Sequence, residues 1–134
     1  MKQGSIIKAY KLIQKLGAEL DLPWELKRKL ANFRRQMQPT WDFQIEQEQA
    51  TTESLTAKYK KKPGETLTSE EIAQLQTELR SKLSELARTE VDIDIQPARI
   101  TVDAKVKKVL NKVLTGNDFV DLDGFIEFEE AEGK

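Results

Sequence analysis

The 134-residue chain contains no cysteine and no histidine. Without cysteine there is no disulfide framework, no thiolate metal site and no cysteine nucleophile. Without histidine the commonest general base and the commonest transition-metal ligand are both missing, so a Ser-His-Asp triad is impossible within the chain. Aromatic residues make up only 7%. No apolar run approaches the roughly 18 residues of a membrane span. The stretch from Met1 to Gly17 alternates lysine with apolar residues and lacks the continuous apolar core of a signal peptide. These gaps argue against an enzyme and point to a cytoplasmic protein.

What is present is charge. Charged residues reach 34% against 38% hydrophobic, a mix that suits amphipathic helices with much solvated surface. Residues 1–62 carry 13 Lys/Arg against 7 Asp/Glu, a net of +6, and residues 63–134 carry 9 against 16, a net of −7. Such polarity can order an antiparallel or head-to-tail assembly.

The length corresponds to one domain, 1–134. Ile6, Ala9, Tyr10, Ile13, Leu16 and Leu20 recur at helical steps, predicting a helix over about 5–20 with Ser5 as its cap. Asp21 and Pro23 restart the chain into a long helix over about 23–62. Its stripe runs through Leu26, Leu30, Phe33 and Met37, then thins through Trp41, Ile45, Leu55 and Tyr59, with Glu48 and Thr52 at stripe positions. Pro39 lacks a backbone donor, so a kink or break is expected at Gln38–Thr40. Lys60-Lys61-Lys62-Pro63-Gly64 is a stop. Thr68 and Glu71 form a capping-box pattern that opens a helix over about 68–89, with Ile72, Leu75, Leu79, Leu83 and Leu86 on one face. It pairs with the preceding helix as an antiparallel hairpin. Val91, Ile93 and Ile95 alternate with Asp92, Asp94 and Gln96, predicting a strand at about 90–95. Asp103 caps a helix over about 103–115 closed by Gly116, and a second strand at about 124–128 pairs with the first. The fold class is therefore mainly α (α+β): a kinked antiparallel helical hairpin, an N-terminal helix and a small two-stranded β element.

Four groups of residues carry candidate chemistry. With Gly124 set at the sixth position of a calcium-binding EF-hand loop, Asp121, Asp123, Ile126 and Glu130 fall at positions 3, 5, 8 and 12, but Phe119 stands where the leading carboxylate belongs. An Asp123-Gly124 turn into an edge strand accounts for the same residues without metal, and no cofactor is expected. Lys27, Arg28, Lys29, Arg34 and Arg35, with Lys58 and Lys60 to Lys62, form the basic clusters that phosphate binding would need. Phe33 falls on the apolar stripe, however, and no nucleic-acid module is evident, so a solvated face is the simpler account. Asp92 with Asp94, and Asp121 with Asp123, are carboxylate pairs with no catalytic companion. Trp24 and Trp41, with Arg34 and Arg35, have the composition of a partner-binding hot spot, or the tryptophans pack where the first helix folds back. Asp121 and Asp123 join them as acidic partner candidates. A thin hairpin with more apolar stripe than one facing helix can cover also suggests a homo-oligomer.

Several features are shared with a known group. Met1-Lys2 opens on Ile6-Ile7, Leu22-Pro23 leads through Leu26 into a long charged helix, and Lys58-Tyr59 precedes a polar turn. A helix ends in Leu86, Val91-Asp92-Ile93 follows, and Phe125-Ile126-Glu127-Phe128 closes the chain. In these the chain resembles an uncharacterised family of small proteins from phages and prophages of Gram-positive bacteria, with Pro39 and Trp41 as departures. The resemblance implies a phage-encoded accessory protein, in the host cytoplasm or the virion, with no catalytic residues to carry over. The function expected is non-enzymatic binding of a protein, virion or host, in a structural or assembly role. The alternatives are an inhibitor of a host defence system or host enzyme that uses the acidic surface Asp118 to Glu132, and a calcium- or nucleic-acid-binding module.

Overall fold

The computed structural model describes residues 1–59 and 66–130. Within them the protein is mainly helical with one small two-stranded sheet. The first helix, α1 (Gln3–Gly17), lies at the centre. Ile6, Ala9, Tyr10, Ile13 and Leu16 are all buried, and α1 packs against four other helices. It begins two residues before Ser5, which lies inside it. The N-cap is Lys2, whose side chain makes no capping bond. Gln3 N–H donates instead to the Thr89 carbonyl at 2.9 Å, so a tertiary contact satisfies a donor that a local cap usually serves.

The long helix expected over 23–62 is two helices. α2 spans Trp24–Arg35 and α3 spans Gln38–Lys58, with a turn at Gln36–Met37. The break sits ahead of the expected Gln38–Thr40 for a steric reason. A proline ring clashes with the carbonyl four residues earlier, which for Pro39 is Arg35, the last residue of α2. Pro39 itself sits in the first turn of α3, where its missing donor costs nothing. The turn is held by Met37, which is fully buried, and by two bonds between the Gln36 side chain and the Gln96 backbone. The stop at Lys60–Gly64 lies outside the described residues.

α4 (Ser69–Arg88) opens on the expected capping box, with Thr68 Oγ1 accepting from Glu71 N–H and Glu71 Oε1 accepting from Thr68 N–H. α3 and α4 form the antiparallel hairpin. Lys58 and Tyr59 at the end of α3 meet Glu78, while the start of α3 and the end of α4 both reach the first turn of α1 through Gln3 and Gly4.

The β element differs from expectation. Residues 90–95 form no strand, and their one bridge pairs Glu90 with Lys2. The strands are β1 (Ala98–Val102) and β2 (Ile126–Glu130), paired in parallel from Ala98↔Ile126 to Val102↔Glu130. The alternation over 91–95 reported burial correctly, because Val91 and Ile93 are half-buried and Ile95 is buried while Asp92 and Asp94 are exposed. Alternation marks a two-sided environment, and here that environment is the flank of the helices. A parallel pair needs a crossover, supplied by α5 (Ala104–Val113) and α6 (Gly116–Leu122). Asp103 caps α5 as expected, accepting from Val106 N–H at 2.8 Å. Gly116 opens α6 and does not merely close α5. Thr115 and Asp118 form a second capping box, and Leu122 is fully buried.

Candidate functional site

Packing around Tyr10 absorbs part of the expected partner surface. The Trp41 ring stacks on Tyr10 at 4.4 Å with planes 10° apart. The Arg34 guanidinium lies 5.7 Å from the Tyr10 centroid, and the Tyr10 hydroxyl donates to Gln38 Oε1 at 2.8 Å. Trp41 is therefore a brace between α1 and α3. Arg35 donates to Asn32 within its own helix. Trp24 is different: it is 81% exposed, with the Lys27 ammonium 4.6 Å from its ring.

The acidic candidates do not converge. Asp121 lies in α6 and Asp123 is its C-cap, so the would-be EF-hand loop is helical through Leu122. Gly124 then turns the chain at φ +85° into β2, the Asp-Gly turn that explains the motif without metal. Glu130 pairs with Lys107 at 3.9 Å. Among the described residues, no group of three or more acidic side chains is placed to hold a metal ion. Asp92 and Asp94 are exposed, with Asp94 accepting from the Gln96 amide.

The acidic half of the chain also carries a basic helix. α5 carries Lys105, Lys107, Lys108 and Lys112, all exposed, inside the acidic half. Lys105, Lys108 and Lys112 border a shallow hollow of about 230 Å³ with Asp21 and Val109. The acids of β2 are offset in turn: Arg99 reaches Glu127 at 3.1 Å and Glu129 at 3.9 Å.

The most distinctive surface is the hairpin. α4 is twenty residues long, yet none of them is buried. Leu75, Leu79, Leu83 and Leu86 are half-buried, and Ile72 is 42% exposed. The cause is the opposite helix. Of the three buried residues on α3, two are the polar Thr40 and Gln44, and the third is Leu55. Gln44 is held by Gln3 Nε2 at 3.2 Å and donates to Glu48 Oε1 at 2.8 Å. Thr40 and Gln44 thus serve the contact with Gln3 of α1, which leaves Leu55 as the buried apolar residue of α3. Phe43 and Ile45 also remain 47% and 43% exposed.

One polar contact ties the end of α3 to the middle of α4. Tyr59 Oη donates to Glu78 Oε1 at 2.6 Å, and Lys58 Nζ lies 3.1 Å from both carboxylate oxygens. The hydrogen bond raises the Tyr59 pKa, with partial burial and the Glu78 and Glu71 charges adding to it. The same bond, followed by that from Lys58, lowers the Glu78 pKa. The candidate site residues named from sequence were the aromatic, basic and acidic ones. The α4 leucines belong to the stripe that the sequence already gives as more than one facing helix can cover, and the weakness of that facing helix shows in the sequence at Glu48 and Thr52. None of the described helices is long and apolar enough to cross a membrane. No family model, curated protein or solved structure matches the chain.

Proposed function

We propose that this protein is a non-enzymatic binding module whose working surface is the leucine face of the α3–α4 hairpin. The observation that carries this reading is the twenty-residue amphipathic α4 with no buried residue. An apolar stripe left half in water on a helix of that length marks a contact surface. We place it in a phage-encoded structural or assembly role, following the resemblance in sequence, with a virion or host protein or a second copy as partner.

The acidic strand β2 is the surface that inhibition of a host enzyme would use. It ranks second, because Arg99 and Lys107 of the same chain already engage Glu127, Glu129 and Glu130, which leaves those carboxylates less free for a partner.

The test is a tagged pull-down from lysate of the native bacterial host, run with the wild type and with Leu79→Glu/Leu83→Glu. Capsid, tail or baseplate proteins in stoichiometric amount, lost in the variant, support the reading. One host nuclease or polymerase captured equally by both forms overturns it in favour of inhibition through another face.

A further inference from the structure

The α4 stripe has an internal symmetry. Ile72, Leu75, Leu79, Leu83 and Leu86 are spaced 3, 4, 4 and 3, so the pattern reads the same in both directions about Leu79. Two such helices running antiparallel around a two-fold axis at Leu79 bring Ile72 of one to the height of Leu86 of the other, and Leu75 to the height of Leu83. A parallel pair gains nothing from this palindrome.

The charges follow the same centre. Residues 69–78 carry Glu70, Glu71 and Glu78 and no base, while residues 79–88 carry Arg80, Lys82 and Arg88 against Glu85. An antiparallel pair sets the acidic half of each helix beside the basic half of the other. A parallel pair sets like on like, which is unfavourable. The symmetry of an isologous contact demands this kind of self-complementarity.

The size is sufficient. A helix of this length spans about 30 Å. Two helices side by side at about 10 Å spacing present a face of about 600 Å² per copy, so two copies bury about 1,200 Å², at the threshold of a stable specific interface. On the strength of the binding reading above, we infer that the partner of the leucine face is a second copy of this chain. The two hairpins close an antiparallel four-helix bundle with its two-fold axis at Leu79. Within one chain the α4 stripe stays half covered, and the second hairpin covers the rest.

The absence of cysteine allows a clean test, because an introduced thiol has no competitor. Leu79→Cys, Ile72→Cys and Leu86→Cys are made singly in the full chain, with circular dichroism confirming retained helix. Each is treated with a short bis-maleimide, alone and in mixtures. The inference expects Leu79→Cys to cross-link to itself, and Ile72→Cys to cross-link with Leu86→Cys. Ile72→Cys alone should fail, because its two copies lie about 21 Å apart along the bundle. Self-linking of Ile72→Cys together with Leu86→Cys denotes a parallel pair and overturns the inference. Failure of all three to cross-link, with sedimentation at the mass of one chain, also overturns it. In that case the pull-down separates the two claims: binding of another protein lost in Leu79→Glu/Leu83→Glu leaves the binding module standing, and binding unchanged removes both.

Discussion

Gly4 is where helix approach is decided by a single atom. A Cβ added there would lie 2.9 Å from Ala87 Cβ and 3.1 Å from the Ala87 carbonyl oxygen, closer than backbone and side chain tolerate. Gly17, the last residue of the same helix, has nothing within 4 Å of such an atom. Gly4→Ala is therefore expected to destabilise the protein by about 1–3 kcal/mol through overpacking. Gly17→Ala is expected to stabilise it by about 0.4–1 kcal/mol through a less flexible unfolded chain. Urea denaturation of the two variants checks both signs. At this scale the sequence was partly legible. Phe33 was read as core and is buried, and Asp103, Thr68 and Glu71 were read as caps and are caps. Gly4 carried no signal, because its role depends on a residue 83 positions away.

Among the elements, α6 was missed although its start was written in the chain. Thr115-Gly116-Asn117-Asp118 is a capping box with Asp in place of Glu, while the following Asp121 and Asp123 also fit an EF-hand spacing, so the same stretch carries two competing patterns. Thr115→Ala removes the cap of a seven-residue helix and is expected to cost about 1 kcal/mol, with the loss of amide protection concentrated at 116–122 in hydrogen exchange. The strand at 98–102 was missed for a different cause. Its buried Ala98, Ile100 and Val102 alternate with exposed Arg99 and Thr101, the same pattern as 91–95, and only the tertiary partner β2 distinguishes a paired strand from an extended edge. The hairpin was legible in its helices, its antiparallel course and the polar gap at Glu48. The contact of Lys58 and Tyr59 with Glu78 should respond to pH. Glu78 has a lowered pKa, so its contact with Tyr59 and Lys58 contributes fully above the ordinary carboxylate value of about 4.3 and is lost as pH falls through the lower folded value. Tyr59 has a raised pKa, so its contribution is present below about 10 and is lost as pH rises through the higher folded value. Glu78→Gln is expected to remove the acid limb of this dependence, read by hydrogen exchange near Leu55 and Leu75 across the acid range. An unchanged acid limb in that variant would place its origin elsewhere.

For the whole molecule, the division of charge by chain halves proved too coarse. α5 carries four lysines within the acidic half, and the fold pairs one of them with β2, so polarity belongs to surfaces and not to stretches of sequence. The core belongs to α1, whose buried face gathers α2, α3, α4 and α6. The hairpin extends from this core with a leucine stripe that stays half covered within one chain. The apolar area that half-buried leucines leave in water costs about 25 cal/mol per Å², a cost removed when another surface covers it. The most direct measurement is sedimentation velocity of the purified full chain beside its Leu79→Glu variant over a wide concentration range. The wild type is expected at twice the mass of one chain and the variant at the mass of one chain, both with the same helical content. A wild type that sediments as a single chain at every concentration, indistinguishable from the variant, would contradict the pairing of hairpins through α4.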